Sequence, residues 1–174
     1  MLFIGSSRKR KTKVRNFYTA VVLVHPYRYK EKKLEYLLIK RKTEGYNWQG
    51  ITGSLEKDET TLEGAIRELF EETGYSPSFI TNIILPEDFY NGIEGEGEIW
   101  EGHYDGKSYI RLDNEALFVA RIDQQKNPVI NPEEHTDWSW SSFEKAYDLI
   151  RWDLEKRLLR YINKMLLDGK IKEE

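Results

Sequence analysis

An arginine and a triplet of glutamates, Arg67 with Glu68, Glu71 and Glu72, lie close together in residues 53–75, a segment that also has a glycine near each end. Glu68, Glu71 and Glu72 have i, i+3 and i+4 spacing, so on a helix their carboxylates can converge on one point. Carboxylates that lie this close repel one another, and a hard divalent cation such as Mg²⁺ removes the conflict. The spacing therefore predicts chemistry on a divalent cation held against a diphosphate.

The same segment carries the signals of a helix that would position these acids. Thr73-Gly74 suits its end, because glycine adopts the left-handed conformation that stops a helix. Three residues with capping side chains suit its start: Asp58, Glu59 and Thr60. Four apolar residues recur with helical spacing and predict one buried stripe: Leu62, Ala65, Ile66 and Leu69. The glutamates are predicted to lie on a different face, roughly a third of a turn away.

Arg67 and Gly53 fit this interpretation. Arg67 could fix the rotamer of a carboxylate by pairing with Glu63, Glu71 or Glu59, and Gly53 lets the backbone approach a metal or ligand because it has no Cβ. The plain alternative for the glutamates is a solvated helix face. The joint spacing Gly-x5-Glu-x7-Arg-Glu-apolar-x-Glu-Glu-x-Gly favours a metal site over that alternative.

This spacing resembles the Nudix box, the signature of hydrolases that cleave a nucleoside diphosphate linked to another group. Tyr75 departs from the pattern, because the family usually has an aliphatic residue there, which is a change of packing. Four further segments resemble the dihydroneopterin triphosphate and dATP pyrophosphohydrolase branch: Lys40-Arg41-Lys42, Trp48-Gln49, Thr52-Gly53-Ser54 and Glu134-His135-Thr136-Asp137-Trp138-Ser139-Trp140, with Trp152 beyond. The resemblance covers residues 16–165.

The resemblance implies an α/β (α+β) fold, an α/β/α sandwich with a mixed β-sheet between helices, and Mg²⁺ or Mn²⁺ as cofactor. It makes Glu68 and Glu72 metal ligands, with Glu71 and the carbonyl of Gly53 nearby. The family draws its general base from the box or from a later loop, so Glu71 and Glu134 are both candidates for this role. Glu134 is alternatively a further metal ligand or a surface acid.

Five residues are candidates for substrate contact, each with an ordinary structural alternative: Arg41, Trp48, Thr52, Tyr18 and Arg151. The arginines could hold phosphate, the aromatic rings could stack on a base or pterin, and the threonine could donate to phosphate. His135 is predicted to be structural, because the expected metal prefers oxygen ligands.

Composition bounds the class of protein. The chain has 174 residues, 39% of them hydrophobic, which suits one globular domain over residues 16–174. It contains no cysteine, which excludes disulfides and thiolate chemistry and suits a reducing cytoplasm. Apolar runs are too short to cross a membrane. The net charge of −3 argues against general nucleic-acid binding, although the basic residues Arg8–Arg15 could form an RNA-binding arm or a solvated terminus.

The remaining pattern predicts alternating strands and helices. Strands are predicted at 17–25, 34–41, 48–52, 78–85, 109–112, 116–122 and 137–141, and helices at 143–149 and 152–167. A polar hairpin loop is predicted at 27–33 and a long surface excursion at 86–106. The apolar face of the last helix is predicted to be Leu154, Leu158, Leu159 and Ile162.

The substrate is the least determined property. The leading hypothesis is a nucleoside or pterin triphosphate cleaved to monophosphate and pyrophosphate. A diadenosine tetraphosphate is the main competitor, an RNA 5′ end is a third possibility, and ADP-ribose is less favoured. A non-catalytic nucleotide- or RNA-binding module is the alternative of a different class, which retention of all the box glutamates disfavours.

Overall fold

The structure is a computed structural model, which describes residues 21–42, 47–86, 88–89, 116–173 and the backbone of 102–104 and 107–109. Several predictions fall elsewhere. Tyr18, the basic segment 1–15, most of the 86–106 excursion and the predicted strand residues 110–112 lie outside the described residues.

A mixed β-sheet forms the centre of the fold. Its strands are β1 (Val21–Lys30), β2 (Lys33–Arg41), β3 (Trp48–Gln49), β4 (Ile51–Ser54), β5 (Phe79–Asn82), β8 (Leu117–Arg121) and β9 (His135–Ser141). They have the order β3-β2-β1-β8-β5, with β4 paired to β1 and β9 paired to β2. Strands β1 and β8 are parallel, and the other pairings in this sheet are antiparallel. A separate hairpin pairs β6 (Gly102–Tyr104) with β7 (Lys107–Tyr109).

Helices cover both faces of the sheet. Helix α1 (Thr61–Thr73) shares one core with Val22, Val24 and Ile39, while α2 (Phe143–Leu149) and α3 (Asp153–Leu167) pack on the opposite core. Neighbouring residues of a strand face opposite ways, so Leu38 and Ile39 are both buried, in different cores. The predicted sandwich with a mixed sheet is therefore confirmed.

The predicted loop at 27–33 is wrong. Strand β1 continues to Lys30, and the hairpin turns on only two residues, Glu31 and Lys32, with φ values of 51° and 63°. Both central residues of a type I′ hairpin turn have positive φ, which usually favours Gly or Asn. Because Glu31 and Lys32 are neither, the sequence did not predict a two-residue turn here. The hairpin is held instead by the fully buried Tyr27 and by Arg28, which pairs with Glu35 at 2.7 Å.

The predicted apolar stripe of α1 is wrong in half of its members. Ala65 and Leu69 are fully buried, but Leu62 and Ile66 are 44% and 39% exposed. The helix approaches β4 through its smallest residue, because a Cβ on Gly64 would lie 2.3 Å from Leu55 Cδ2. The face of α1 that is turned toward the core therefore differs from the predicted one, and it includes Glu72 beside Leu69.

Smaller differences concern strand boundaries. The single strand predicted at 48–52 is two short strands separated at Gly50, and the strand predicted at 78–85 is confined to Phe79–Asn82. The predicted strands at 34–41 and 116–122 and both C-terminal helices are confirmed within one residue at each end. Strand β9 begins two residues earlier than predicted, at His135. On α3, Leu158, Leu159 and Ile162 are buried and Leu154 packs against the same core, as predicted.

Candidate active site

Helix α1, which carries the acids, is capped at both ends. Thr60 is the N-cap, and it exchanges hydrogen bonds with Glu63 in a capping box. Gly74 ends the helix with a φ of 68°, and its N–H donates to Phe70 O at 2.7 Å. The predicted caps at Thr60 and Gly74 are confirmed. The carboxylate of Glu63, a predicted partner of Arg67, binds Thr60 in the capping box instead.

The guanidinium of Arg67 binds three acids and one backbone carbonyl. Its Nε and Nη2 donate to the two carboxylate oxygens of Glu59 at 2.8 and 2.9 Å. Its Nη1 donates to Glu68 Oε1 at 2.8 Å and to Glu71 Oε2 at 3.0 Å, and Nη2 also donates to Ser54 O at 2.8 Å. The hydrogen bonds from Arg67 lower the pKa of Glu59 to about 2. Arg67 thus fixes the carboxylates around it, with Glu59 and Glu71 as predicted partners.

The carboxylate of Glu68 lies directly against the backbone of Gly53. A Cβ on Gly53 would be 1.8 Å from Glu68 Cδ, so any larger residue would displace this carboxylate. Burial raises the pKa of Glu68, and the charges of Glu71 and Glu134 raise it further, while Arg67 opposes the shift. The box glycine therefore allows the contact between strand β4 and helix α1.

A second carboxylate, that of Glu72, is buried and lacks a partner for one oxygen. Its Oε2 has no hydrogen-bond partner among the described residues. Burial raises the pKa of Glu72 to about 8, with Glu68 and Glu134 adding to the shift and Arg41 opposing it. One ligand atom from each of Glu72, Glu134 and His135 lies within 4.8 Å of the others. His135 Nε2 is 3.9 Å from Glu72 Oε1.

The donors present fit a divalent cation. A buried carboxylate oxygen without a partner is costly, and a cation would satisfy it and lower the pKa that burial has raised. Oxygen donors from carboxylates are what Mg²⁺ prefers. Glu71 lies on the outer side of this group, with its side chain 55% exposed and held by Arg67.

The structure describes four of the five predicted substrate residues. Arg41 ends β2 opposite His135, and its charge acts on Glu72. Trp48 is half-buried, with Lys40 Nζ 5.8 Å from its ring centroid. Thr52 Oγ1 accepts a hydrogen bond from Gln49 Nε2 at 3.0 Å.

Arg151 lies in the segment between the two C-terminal helices, α2 and α3. It follows Ile150, which bridges to Trp48, and its guanidinium carbon lies 5.4 Å from the Trp152 ring centroid. The structure therefore places Arg151 in the neighbourhood of Trp48.

Glu155 is a residue that the sequence analysis missed. It is buried in the first turn of α3, where its Oε1 accepts a 2.6 Å hydrogen bond from Gly50 N, and burial raises its pKa to about 7. The other side of Gly50 is closed by β1, since a Cβ there would lie 2.8 Å from Val24 O and 3.1 Å from His25 Nδ1. The sequence did contain an indication of this residue: Glu155 has helical spacing with Leu158, Leu159 and Ile162, so it was expected on their buried face.

Comparisons with known proteins agree with this arrangement. The family profile described as NUDIX domain matches residues 17–162. Dihydroneopterin triphosphate diphosphatase of Haemophilus influenzae is 30% identical over 115 residues, which are 66% of this chain and 70% of that protein. RNA pyrophosphohydrolase of Erythrobacter litoralis is 31% identical over 100 residues, 53% of this chain and 57% of that protein. The chain thus matches less than two thirds of the second relative.

Solved structures show the same fold. The C. elegans Ap4A hydrolase in a binary complex has a TM-score of 0.65 at 21% identity, over 87% of this chain and 99% of that one. The E. coli dihydroneopterin triphosphate pyrophosphohydrolase has a TM-score of 0.53 at 18% identity, over 84% of this chain and 98% of that one. At these identities the likeness concerns the fold.

The structure has a mixed sheet between helices, with Glu68 of α1 against Gly53 of β4 and with Glu72, Glu134 and His135 grouped as possible ligands of a cation. Together with the matching family profile, this identifies a hydrolase of phosphoanhydride bonds. The chain belongs to the NUDIX family, whose profile covers most of its length. The expected family, fold and enzyme class are therefore confirmed. In the described part of the chain, no helix combines the length and apolar character that crossing a membrane requires.

Proposed function

We propose that this chain is a Mg²⁺-dependent pyrophosphohydrolase, with Mn²⁺ as the alternative ion, that cleaves a nucleoside or pterin triphosphate to monophosphate and pyrophosphate. The observation that carries the proposal is the convergence of two elements on one place. Glu68 and Glu72 come from α1 and Glu134 from the turn before β9, and their charges act on one another. The similarity to a dihydroneopterin triphosphate diphosphatase supports the substrate class.

The cation ligands in this proposal are Glu68, Glu72, Glu134 and the backbone carbonyl of Gly53. When bound, the ion lowers the pKa of the attacking water and offsets the charge that develops on the phosphate oxygens. The protein contributes carboxylates whose positions are already fixed, Glu68 by Arg67 and Gly53, and Glu72 by its burial.

Two residues are candidates for the proton acceptor. Glu71 is solvent-accessible and is held by Arg67 at 3.0 Å, which suits a base that removes a proton from water. Glu134 is also exposed, and its Oε1 accepts a 3.1 Å hydrogen bond from Asn131 Nδ2, which fixes its orientation. Arg67 acts by positioning acids, because its side-chain hydrogen bonds go to Glu59, Glu68 and Glu71 and to the backbone oxygen of Ser54.

The substrate contacts in this proposal are the five residues that the sequence analysis selected. Arg41 would hold a terminal phosphate beside Glu72. Trp48 would stack on the base or pterin ring, with Arg151 near it and Tyr18 as a further stacking candidate. The hydroxyl of Thr52 is oriented by Gln49 and could donate to a phosphate oxygen.

Removal of pyrophosphate from an RNA 5′ end is the second candidate function. It is favoured by the curated relatives from Erythrobacter litoralis and Novosphingobium aromaticivorans, which carry the name RNA pyrophosphohydrolase and are 31% and 30% identical to this chain. In this case Arg8–Arg15 would contact the RNA backbone, and affinity would fall steeply with salt. A diadenosine tetraphosphate is the third substrate candidate, suggested by Trp48-Gln49 before the box.

Product analysis with Mg²⁺ separates these functions. The panel is dihydroneopterin triphosphate, dATP, GTP, diadenosine tetraphosphate, ADP-ribose and a 5′-triphosphorylated RNA. Pyrophosphate from a small triphosphate supports the main proposal, ATP from the dinucleotide supports the third candidate, and preference for RNA supports the second. Deletion of residues 1–13 is expected to reduce only RNA cleavage. A folded protein that binds Mg²⁺ but cleaves nothing in the panel would favour a nucleotide-binding module.

The catalytic assignment has its own control. Glu71→Gln is expected to lower turnover by about two or more orders of magnitude, in the range of a lost catalytic base, while leaving the thermal unfolding midpoint nearly unchanged. The exposed Glu56→Gln, on the loop before α1, is the matched control and should retain full activity. Near-full activity of Glu71→Gln would assign the base to Glu134.

A further inference from the structure

We propose that His135 is itself a ligand of the cation at Glu72 and Glu134, and that its nitrogen raises the affinity of the site for Mn²⁺ or a similar transition-metal ion relative to Mg²⁺. The inference rests on the proposed function, in which the two carboxylates hold a cation. The other ligands of the proposed site, Glu68 and the Gly53 carbonyl, are oxygen donors, which Mg²⁺ also accepts.

The spacing of the donor atoms fits a common ion. His135 Nε2 lies 3.9 Å from Glu72 Oε1, which is too long for a hydrogen bond. Donors bound at about 2.1 Å from one octahedral ion are separated by about 3 Å when adjacent and about 4.2 Å when opposite. The 3.9 Å separation lies between these two values, and the ligand atoms of Glu72, Glu134 and His135 all lie within 4.8 Å of one another, so side-chain shifts of less than about 1 Å would bring them to one octahedral ion.

The Glu72 and His135 side chains are buried and carry unmet polar atoms. His135 is 3% exposed and Glu72 is 8% exposed, so neither side chain can rely on bulk water. Glu72 Oε2 and His135 Nδ1 are buried without hydrogen-bond partners among the described residues. Buried groups of this kind are costly unless paired, and an ion bound between the imidazole and the carboxylate would satisfy Glu72.

The backbone holds the imidazole at this position. His135 N donates to Asn131 O at 2.9 Å, and Lys42 N donates to Glu134 O at 2.8 Å. The turn that ends at Glu134 and the start of β9 are therefore both fixed against neighbouring chain. A pre-positioned donor set binds its ion without an ordering cost.

The chemistry of the donors determines the selectivity. Imidazole nitrogen suits manganese less than the later transition metals, but Mg²⁺ keeps to oxygen donors and water. Adding a nitrogen to two carboxylates therefore raises the affinity for Mn²⁺, Co²⁺ or Zn²⁺ relative to Mg²⁺. The same two carboxylates without His135 would lack this preference.

Pulsed electron paramagnetic resonance of the full-length protein with Mn²⁺, without substrate, tests the assignment. The wild type is expected to show the ¹⁴N coupling of a bound imidazole, replaced by a ¹⁵N pattern when its histidines are ¹⁵N-labelled. His135→Gln should abolish the coupling and weaken Mn²⁺ binding about tenfold or more, with less than about a threefold change for Mg²⁺. The exposed Glu133→Gln, two residues away, is the matched control and should leave the coupling intact.

The outcomes separate this inference from the proposed function. Mn²⁺ bound by the wild type without nitrogen coupling would overturn the role of His135 and leave the carboxylate site standing. Glu72→Gln should greatly weaken binding, and unchanged binding in that variant would remove the proposed cation site itself. The isotope-labelled wild type needs no substitution, so the result does not depend on whether His135→Gln folds.

Discussion

Gly50 N donates a 2.6 Å hydrogen bond to Glu155 Oε1, and this bond joins the break between β3 and β4 to the first turn of α3. Gly53, against which Glu68 packs, lies three residues beyond Gly50 on the same chain segment. Glu155 on one face of the sheet thus holds the chain segment that contains Gly53. Helix α1, on the other face, carries Glu68 and Glu72.

Replacing Glu155 should alter catalysis through position. Glu155→Leu removes the acceptor of the Gly50 N–H and should lower kcat/KM about tenfold to a hundredfold, because Gly53 lies three residues further on and a displacement of about 1 Å in a site can cost about a hundredfold. Glu155→Gln keeps an acceptor oxygen and should restore most of the activity. Steady-state kinetics of both variants checks this, with the exposed Asp153→Asn as control. Equal activity of the Leu and Gln variants would contradict the positioning role.

The same residue should make stability depend on pH. Burial raises the pKa of Glu155 to about 7 from an ordinary value of 4.5, so between these values the folded protein binds more protons than the unfolded chain. Its contribution to the free energy of unfolding is therefore complete below pH 4.5 and is lost as the pH rises through about 7. Urea titrations in EDTA from pH 5 to 8 should show a shallower decline for Glu155→Gln; parallel curves would contradict the assignment.

His25 should act in the opposite direction. It is fully buried, and burial lowers its pKa to about 4 from 6.5. Between pH 4 and 6.5 the unfolded chain binds the extra proton, so this contribution is complete above pH 6.5 and is lost as the pH falls through about 4. His25→Leu should flatten the acid side of the stability profile in thermal melts from pH 4 to 7. An unchanged acid side would show that His25 is not buried in the neutral form.

Gly53→Ala should reduce activity more than stability. The new Cβ would meet Glu68 Cδ at 1.8 Å and must displace the carboxylate, which is the end of a flexible side chain rather than backbone. We expect a loss of about a hundredfold or more in kcat, because a displacement of about 1 Å in a site can cost this much. Ser54→Ala, at the exposed neighbouring position, is the control. Kinetics together with thermal melts separates the two effects.

Arg67→Lys should behave almost like Arg67→Ala. A lysine has one ammonium group and cannot reproduce the planar set of bonds to Glu59, Glu68 and Ser54 O. Both variants should lower kcat about a hundredfold, because the acids that Arg67 positions would be displaced and a displacement of about 1 Å can cost this much. Arg28→Lys, which alters the Arg28–Glu35 pair elsewhere on the sheet, is the matched control. Full activity of Arg67→Lys would mean that charge alone is required.

The sequence predicted the elements that depend on local chemistry. The caps at Thr60 and Gly74 and the face of α3 at Leu158 and Ile162 follow from residue type and spacing, and the structure shows them. Periodicity did not predict which face of α1 is buried, because that face includes Gly64, which packs closely against Leu55, and the acid Glu72.

Some site residues depend on contacts between distant segments. Glu155 and Gly50 are 105 residues apart, and Glu72 and His135 are 63 apart. An isolated acid or histidine in the sequence carries no information about which distant group it meets. The sequence could therefore propose Glu68, Glu71 and Glu72 as a group, but not the surroundings that distinguish a buried Glu72 from an exposed Glu71.

The single guanidinium that joins Glu59, Glu68, Glu71 and Ser54 has a consequence for how this protein can change over time. Once Arg67 is lost, it no longer fixes the positions of the three acids, so substitutions of these acids should be non-additive with the loss of Arg67. A reversion at one acid would not restore the hydrogen bonds to the guanidinium while the arginine is absent. Selection should therefore act on these four positions as a coupled group.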